Sequence, residues 1–157
     1  MEFREIMRQF GAKVGIGDFE PDETNVCRLD IDDMLISFAE DPETAAVVTR
    51  AEICESPSHG AGMLYRLLME SMFMGQGTMG ASFSIEPESG KIYLYRVDPT
   101  ATLDPDSFSA ILEKFVNMLE QWRKTLAGFM PVIAAVKEAG DSARSSAAFR
   151  GDGFMQV

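Results

Sequence analysis

Three aspartates, Asp30, Asp32 and Asp33, crowd the stretch "CRLDIDDMLISFAEDPE". Carboxylates so spaced could hold a divalent cation and support metal-dependent chemistry. A calcium loop of the EF-hand type needs oxygen donors at positions one, three and five, glycine at six and glutamate at twelve. Counting from Asp30, position three is Asp32, but five, six and twelve are Met34, Leu35 and Asp41. The calcium pattern fails. A magnesium site needs only one or two carboxylates beside substrate phosphates, so Asp32 and Asp33 leave that alternative open. The alternation on either side favours a plainer role, a hairpin corner whose acids accept local backbone N–H bonds.

The remaining candidate chemistry is sparse. His59 is the one histidine, which excludes a zinc site built on several imidazoles and makes any Ser/His/Asp or Cys/His nucleophile depend on it. It sits in "SPSHGAG", a loop entering a helix, where capping or solvation is the ordinary role. Cys27 and Cys54 each fall in a strand-like run, where a buried thiol acts as a small hydrophobe. Two cysteines without CxxC spacing build no disulfide scaffold, and reduced thiols in a cytosolic protein are expected. The glycines of "GMLYRLLMESMFMGQGTMG" lack the Lys-Ser/Thr of a phosphate loop, and no GxGxxG follows a strand. The residues predict no enzyme, no cofactor and no metal. The alternative is a small enzyme or ligand-binding domain using His59 or the Asp30/Asp32/Asp33 corner.

The elements that would position these groups follow from periodicity. In "EFREIMRQFGA", Phe3, Ile6, Met7 and Phe10 recur at i, i+3, i+4 and i+7, one stripe of an amphipathic helix that Gly11 should end. "NVCRLDI", "MLISFAE" and "AAVVTRAEICE" alternate or run β-branched and predict three strands of an antiparallel meander. Leu64, Leu67, Leu68 and Met72 mark a second helix. Met63, Met69, Phe73 and Met74 make it apolar around much of its circumference, as for a helix shared between core and subunit interface. "ASFSIEPESGKIYLYRVD" reads as a hairpin. In "LDPDSFSAILEKFVNMLEQWRKTL", Asp104 can cap and Pro105 start a long helix whose apolar face runs from Phe108 to Leu126. Gly128 and Pro131 should stop it, leaving a short helix near 132–139 and a mobile, polar tail. The order α-β-β-β-α-β-β-α predicts an α+β domain, a curved antiparallel sheet with helices packed on it.

A length of 157 residues with 46% hydrophobic content suits one folded domain. A net charge of −11, from 25 acids and 14 bases, argues against nucleic acid, whose phosphates need a basic face. No apolar run reaches the roughly 20 residues of a membrane span, so no membrane insertion is expected. The start reads as no signal peptide. Eleven methionines suit surfaces that repack against partners.

The order of elements, the length and the acidity resemble the type III secretion chaperones of the Tir-chaperone (CesT-like) class. "FREIMRQFG", "NVCRLDIDDMLISFAED", "LLMESMFMGQGTMGASFSIEPESGKIYLYRVDPTATLD" and "FSAILEKFVNMLEQWRKTL", with Trp122, carry the resemblance over residues 1–128. Residues 129–157 would be a C-terminal extension. The resemblance implies a cytoplasmic bacterial homodimer that binds an N-terminal segment of a secreted effector, keeps it extended and soluble, and delivers it without hydrolysing ATP. A regulatory adaptor of the same fold is a further alternative. Effector binding is expected to involve Phe3, Ile6, Met7, Phe10, Leu29, Ile31, Leu35 and Ile36. The dimer interface is expected to use Leu64, Leu67, Leu68, Met72, Phe83 and Ile85. Which strand faces meet core and which meet cargo stays open at this point.

Overall fold

The computed structural model describes residues 2–149. Three helices and five strands follow in the expected order: α1 (Phe3–Val14), β1 (Val26–Ile31), β2 (Met34–Asp41), β3 (Ala46–Glu55), α2 (Ala61–Ser71), β4 (Ser82–Ile85), β5 (Lys91–Pro99) and α3 (Pro105–Phe149). Every strand pairing is antiparallel, and the spatial order is β1-β2-β3-β5-β4. α2 carries the chain from central β3 to the far edge, so β1 and β4 are the two free edges.

Register sorts the side chains. Cys27, Leu29 and Ile31 stand opposite Phe38, Ile36 and Met34, on the face that the helices cover. Arg28 and Asp30 stand opposite Ser37 and Leu35, on the open face. The acidic corner is the two-residue turn between Ile31 and Met34, with Asp32 at φ 49° and Asp33 at φ 62°. A tight hairpin that matches strand twist needs two left-handed residues, a conformation aspartate tolerates better than most. Asp32 and Asp33 thus do structural work in the turn.

Under the sheet, α1 and α3 close the core. Phe10, Phe19, Phe38 and Phe108 form a four-ring cluster with every contact edge-to-face, at centroid separations of 5.0–6.0 Å. At the other end Trp122 stacks edge-on with Phe83 at 4.9 Å and donates its indole N–H to the Gly77 carbonyl. Asp104 and Ser107 cap α3 reciprocally: the Ser107 amide donates to Asp104 Oδ1, and the Asp104 amide to Ser107 Oγ.

Two predicted helix ends are wrong. α1 runs through Gly11 to Val14, because Gly11 is a close-approach point, where a Cβ would lie 2.4 Å from Phe19 Cβ. α3 runs through Gly128 and Pro131 as far as Phe149, 45 residues in all or about 67 Å at 1.5 Å per residue. A proline inside a helix costs about 3 kcal/mol. Burial of Ile133 against Gly60, whose missing Cβ leaves room for Ile133 Cγ2, helps to offset that cost. The short helix foreseen near 132–139 is therefore part of α3. Of the tail expected to be mobile beyond that helix, residues 140–149 are helical, and residues 150–157 lie outside the described residues.

Phe38 is fully buried between two rings of the cluster. Phe38→Ala is expected to lower stability by about 3–5 kcal/mol in urea unfolding. A loss below about 1 kcal/mol would show that the cluster does not organise the core.

Candidate functional site

The α1 stripe faces inward. Phe3, Ile6, Met7 and Phe10 are buried, as is Ile36 on β2, so these five expected effector contacts belong to the core. The four-ring cluster holds the stripe inside, and of its four residues only Phe10 also lines a surface trough. Leu29 and Ile31 are half-buried on the helix-covered face of β1, whereas Leu35 is 58% exposed on the opposite face.

Leu35 lines a cleft on the open face, whereas Leu29 and Ile31 lie in an apolar trough of about 450 Å³ beside the β1 edge. Leu29 and Ile31 form its sheet wall, Leu112 and Val116 its α3 wall, and Val14 and Ile16 close it from α1 and the loop that follows. Asp30, Glu113 and Asn117 supply polar groups to its lining. Val14 and Ile16 are exposed and were missed from the sequence. Val14 continues the spacing of Phe3, Met7 and Phe10 by four residues, a signal hidden when the helix is ended at Gly11. The site combines an apolar floor with a free strand edge, which suits an extended peptide that supplies apolar anchors and main-chain hydrogen bonds.

A second trough, of about 230 Å³, runs along the other edge between α2 and β4. Of the residues expected at a dimer interface, Leu64 and Leu68 are buried in the core, although Leu68 also reaches the trough floor. Met72, Phe83 and Ile85 line the trough with Tyr65 and Met69, which were not singled out for the interface, and Leu67 is half-buried against the core. Just beyond, Phe73 and Met74 are more than 70% exposed. Their loop is pinned by Trp122 at the Gly77 carbonyl and by Arg96 at the Met79 carbonyl. Arg96 is itself gripped by Asp98, whose hydrogen bonds hold the guanidinium pKa above its usual range. Large apolar patches of this kind mark interaction sites.

The other candidate groups are dispersed. His59 is exposed and shares a hydrogen bond with the neighbouring Ser58 hydroxyl at 2.9 Å. Burial pushes the Cys27 thiol up to about 12 and the Cys54 thiol up to about 11, which leaves both protonated and poor nucleophiles at neutral pH. Among the described residues, no group of three or more His, Cys, Asp or Glu side chains could hold a metal ion.

The model of the Tir chaperone protein (CesT) family matches residues 5–123. Solved structures share the fold. The HopA1–SchA chaperone–effector complex aligns at 12% identity with a TM-score of 0.65, covering 78% of this chain and 93% of that one. The ExsC–ExsE complex aligns at 20% identity and 0.66, covering 79% and 96%. The ExoT–SpcS complex from Pseudomonas aeruginosa aligns at 21% and 0.56, covering 76% and 95%. No curated protein sequence matches this one.

The thiol environments predict slow alkylation. At pH 8, iodoacetamide should label native Cys27 and Cys54 at least about tenfold more slowly than the urea-unfolded chain. Equal rates by mass spectrometry would place both thiols outside the buried setting described.

Proposed function

Since the chain belongs to the Tir chaperone protein (CesT) family, we propose that it is a type III secretion chaperone whose cargo is the N-terminal segment of a secreted effector. It holds that segment extended and soluble in the bacterial cytoplasm and supports its delivery to the secretion apparatus, without catalysis or ATP hydrolysis. The β1-edge trough carries this reading. Its apolar lining and free strand edge suit an unfolded segment, and an effector held there keeps its anchors out of water. That a chaperone–effector complex has this fold supports the assignment. The acidic charge is consistent with a protein partner and unfavourable for nucleic acid. Among the described residues, no helix is long and apolar enough to cross a membrane.

The second trough is proposed as the homodimer interface. A stable interface buries about 1,200–2,000 Å² in total, and pairing two copies of the α2–β4 edge would cover Tyr65, Met69, Met72 and Ile85 on each. Residues 1–128 are proposed as the chaperone unit and 129–157 as an extension of it.

Core burial decides which substitutions test these surfaces, since charges at Phe10 or Leu68 would disrupt folding. Leu29→Asp is expected to weaken effector capture at least about tenfold while the chain stays folded and keeps its association state, because a charge would sit against apolar anchors. The check is co-purification from a bacterium that assembles a type III apparatus, with the bound protein identified by mass spectrometry. Undiminished recovery of effector by the variant would remove the trough as the cargo site. Met69→Asp should convert a dimer into a folded monomer in sedimentation analysis, and an unchanged dimer would exclude the α2–β4 edge.

A further inference from the structure

We propose that the open face of the sheet carries a second cargo subsite, a cationic cleft for an extended acidic segment. The proposal rests on the chaperone reading and adds to it the chemistry of a further stretch of cargo.

The cleft arises from strand geometry. β2 and β3 pair from Asp41↔Ala46 down to Ile36↔Ala51, where their ladder stops. Below that point Met34 pairs only with β1, whereas β3 runs on to Glu55 along β5 with an irregularity between Glu52 and Cys54. The strands part and leave a cleft of about 450 Å³, whose lining includes Arg123 from α3.

Four cations line it: Arg28, Arg50, Lys91 and Arg123. Arg28 is paired with Asp22, and Lys91 lies 2.9 Å from Glu52, the cleft's own acid on β3. Arg50 and Arg123 make no ion pair among the described residues, yet both are oriented. Arg50 donates from Nε to Ser37 Oγ at 3.2 Å and rests 5.7 Å from the centre of the Tyr93 ring. Arg123 donates to the backbone carbonyl of Asp33 at 3.2 Å, and Asp33 is the other acidic residue in the lining. Two held guanidinium groups without carboxylate partners are unusual on a chain of net charge −11.

Charge complementarity selects the occupant. A guanidinium offers a planar fork of donors that matches a carboxylate. On an extended peptide, side chains of one face recur at about 6.6 Å, so successive carboxylates can reach separate guanidinium groups. At physiological ionic strength the Debye length is about 8 Å, so contacts in the cleft outlast repulsion from the distant acids. Nucleic acid would bring phosphates along its whole length against the acidic remainder, so a peptide carboxylate is the better fit.

The test uses three fluorescent peptides that share one apolar half, leucine and valine alternating with serine. The second half alternates valine with glutamate, glutamine or lysine. Binding is measured by anisotropy on the full chain at 0.15 M salt. The glutamate peptide is expected to bind about fivefold tighter than the glutamine peptide, the scale set by two largely exposed ion pairs. The double variant Arg50→Glu/Arg123→Glu should abolish that difference and leave the glutamine peptide unaffected, which also shows that the variant is folded. Equal binding of the glutamate and glutamine peptides overturns the cleft proposal and leaves the chaperone reading standing. Failure of all three peptides removes the chaperone reading with it. Tighter binding of a twenty-residue oligothymidine than of the glutamate peptide would also overturn the proposal.

Discussion

The edge-to-face packing of Phe10, Phe19, Phe38 and Phe108 is the contact on which the other surfaces depend. Each ring comes from a different segment: α1, the loop before β1, β2 and α3. Aromatic pairs prefer this geometry, and each adds about 0.5–1.5 kcal/mol beyond its area burial. The cluster joins the first helix to the last across the sheet. It also decides what α1 offers to solvent. With Phe3, Ile6 and Met7 committed inward, the end of the stripe reaches the trough beside Leu29 and Ile31, Phe10 at its floor and Val14 exposed. The trough at the β1 edge is thus a consequence of core packing.

A sheet of five strands has two edges, and free edges invite association. Here both edges carry apolar troughs, one walled by α1 and α3, the other by α2. Proteins that must avoid pairing place charges and bulges at such positions. This chain keeps Arg28 and Asp30 to the open face of one edge strand and places Leu29 and Ile31 on its helix-covered face, with Phe83 and Ile85 on the other edge strand. The arrangement is intelligible when each edge has a partner, and the reading proposed above gives cargo to one and a second copy to the other.

Much of this architecture was legible in the sequence, since alternation and helical spacing are direct consequences of backbone geometry. The turn at Asp32–Asp33, the cap at Asp104 and the order of elements were all available from residue types. What the sequence hid were choices made by tertiary contact. Gly11 and Gly128 carry stop signals, yet Phe19 packs on the first and the helix continues past the second to bury Ile133. The α1 stripe looked equally suited to core and cargo, because an apolar side chain carries no label for its partner. Arg50 and Arg123, 73 residues apart in the chain, reach the same cleft only through strand pairing and the docking of α3.

α3 connects these surfaces. Leu112 and Val116 wall the β1 trough, Trp122 fixes the loop beside the α2–β4 trough, and Arg123 lines the cleft beside Asp33 of the hairpin turn. All four lie within twelve consecutive positions, three turns of one rigid helix. A helix so engaged cannot shift at one surface without moving its side chains at the others. The Trp122 hydrogen bond to Gly77 and the Arg123 hydrogen bond to Asp33 come from neighbouring residues and tie α3 to the Met-rich loop and to the acidic turn. The proposed cargo and dimer surfaces are therefore spaced by one rigid element. Ile31 lines the trough and Asp33 the cleft, so the Asp32–Asp33 turn borders both proposed cargo surfaces.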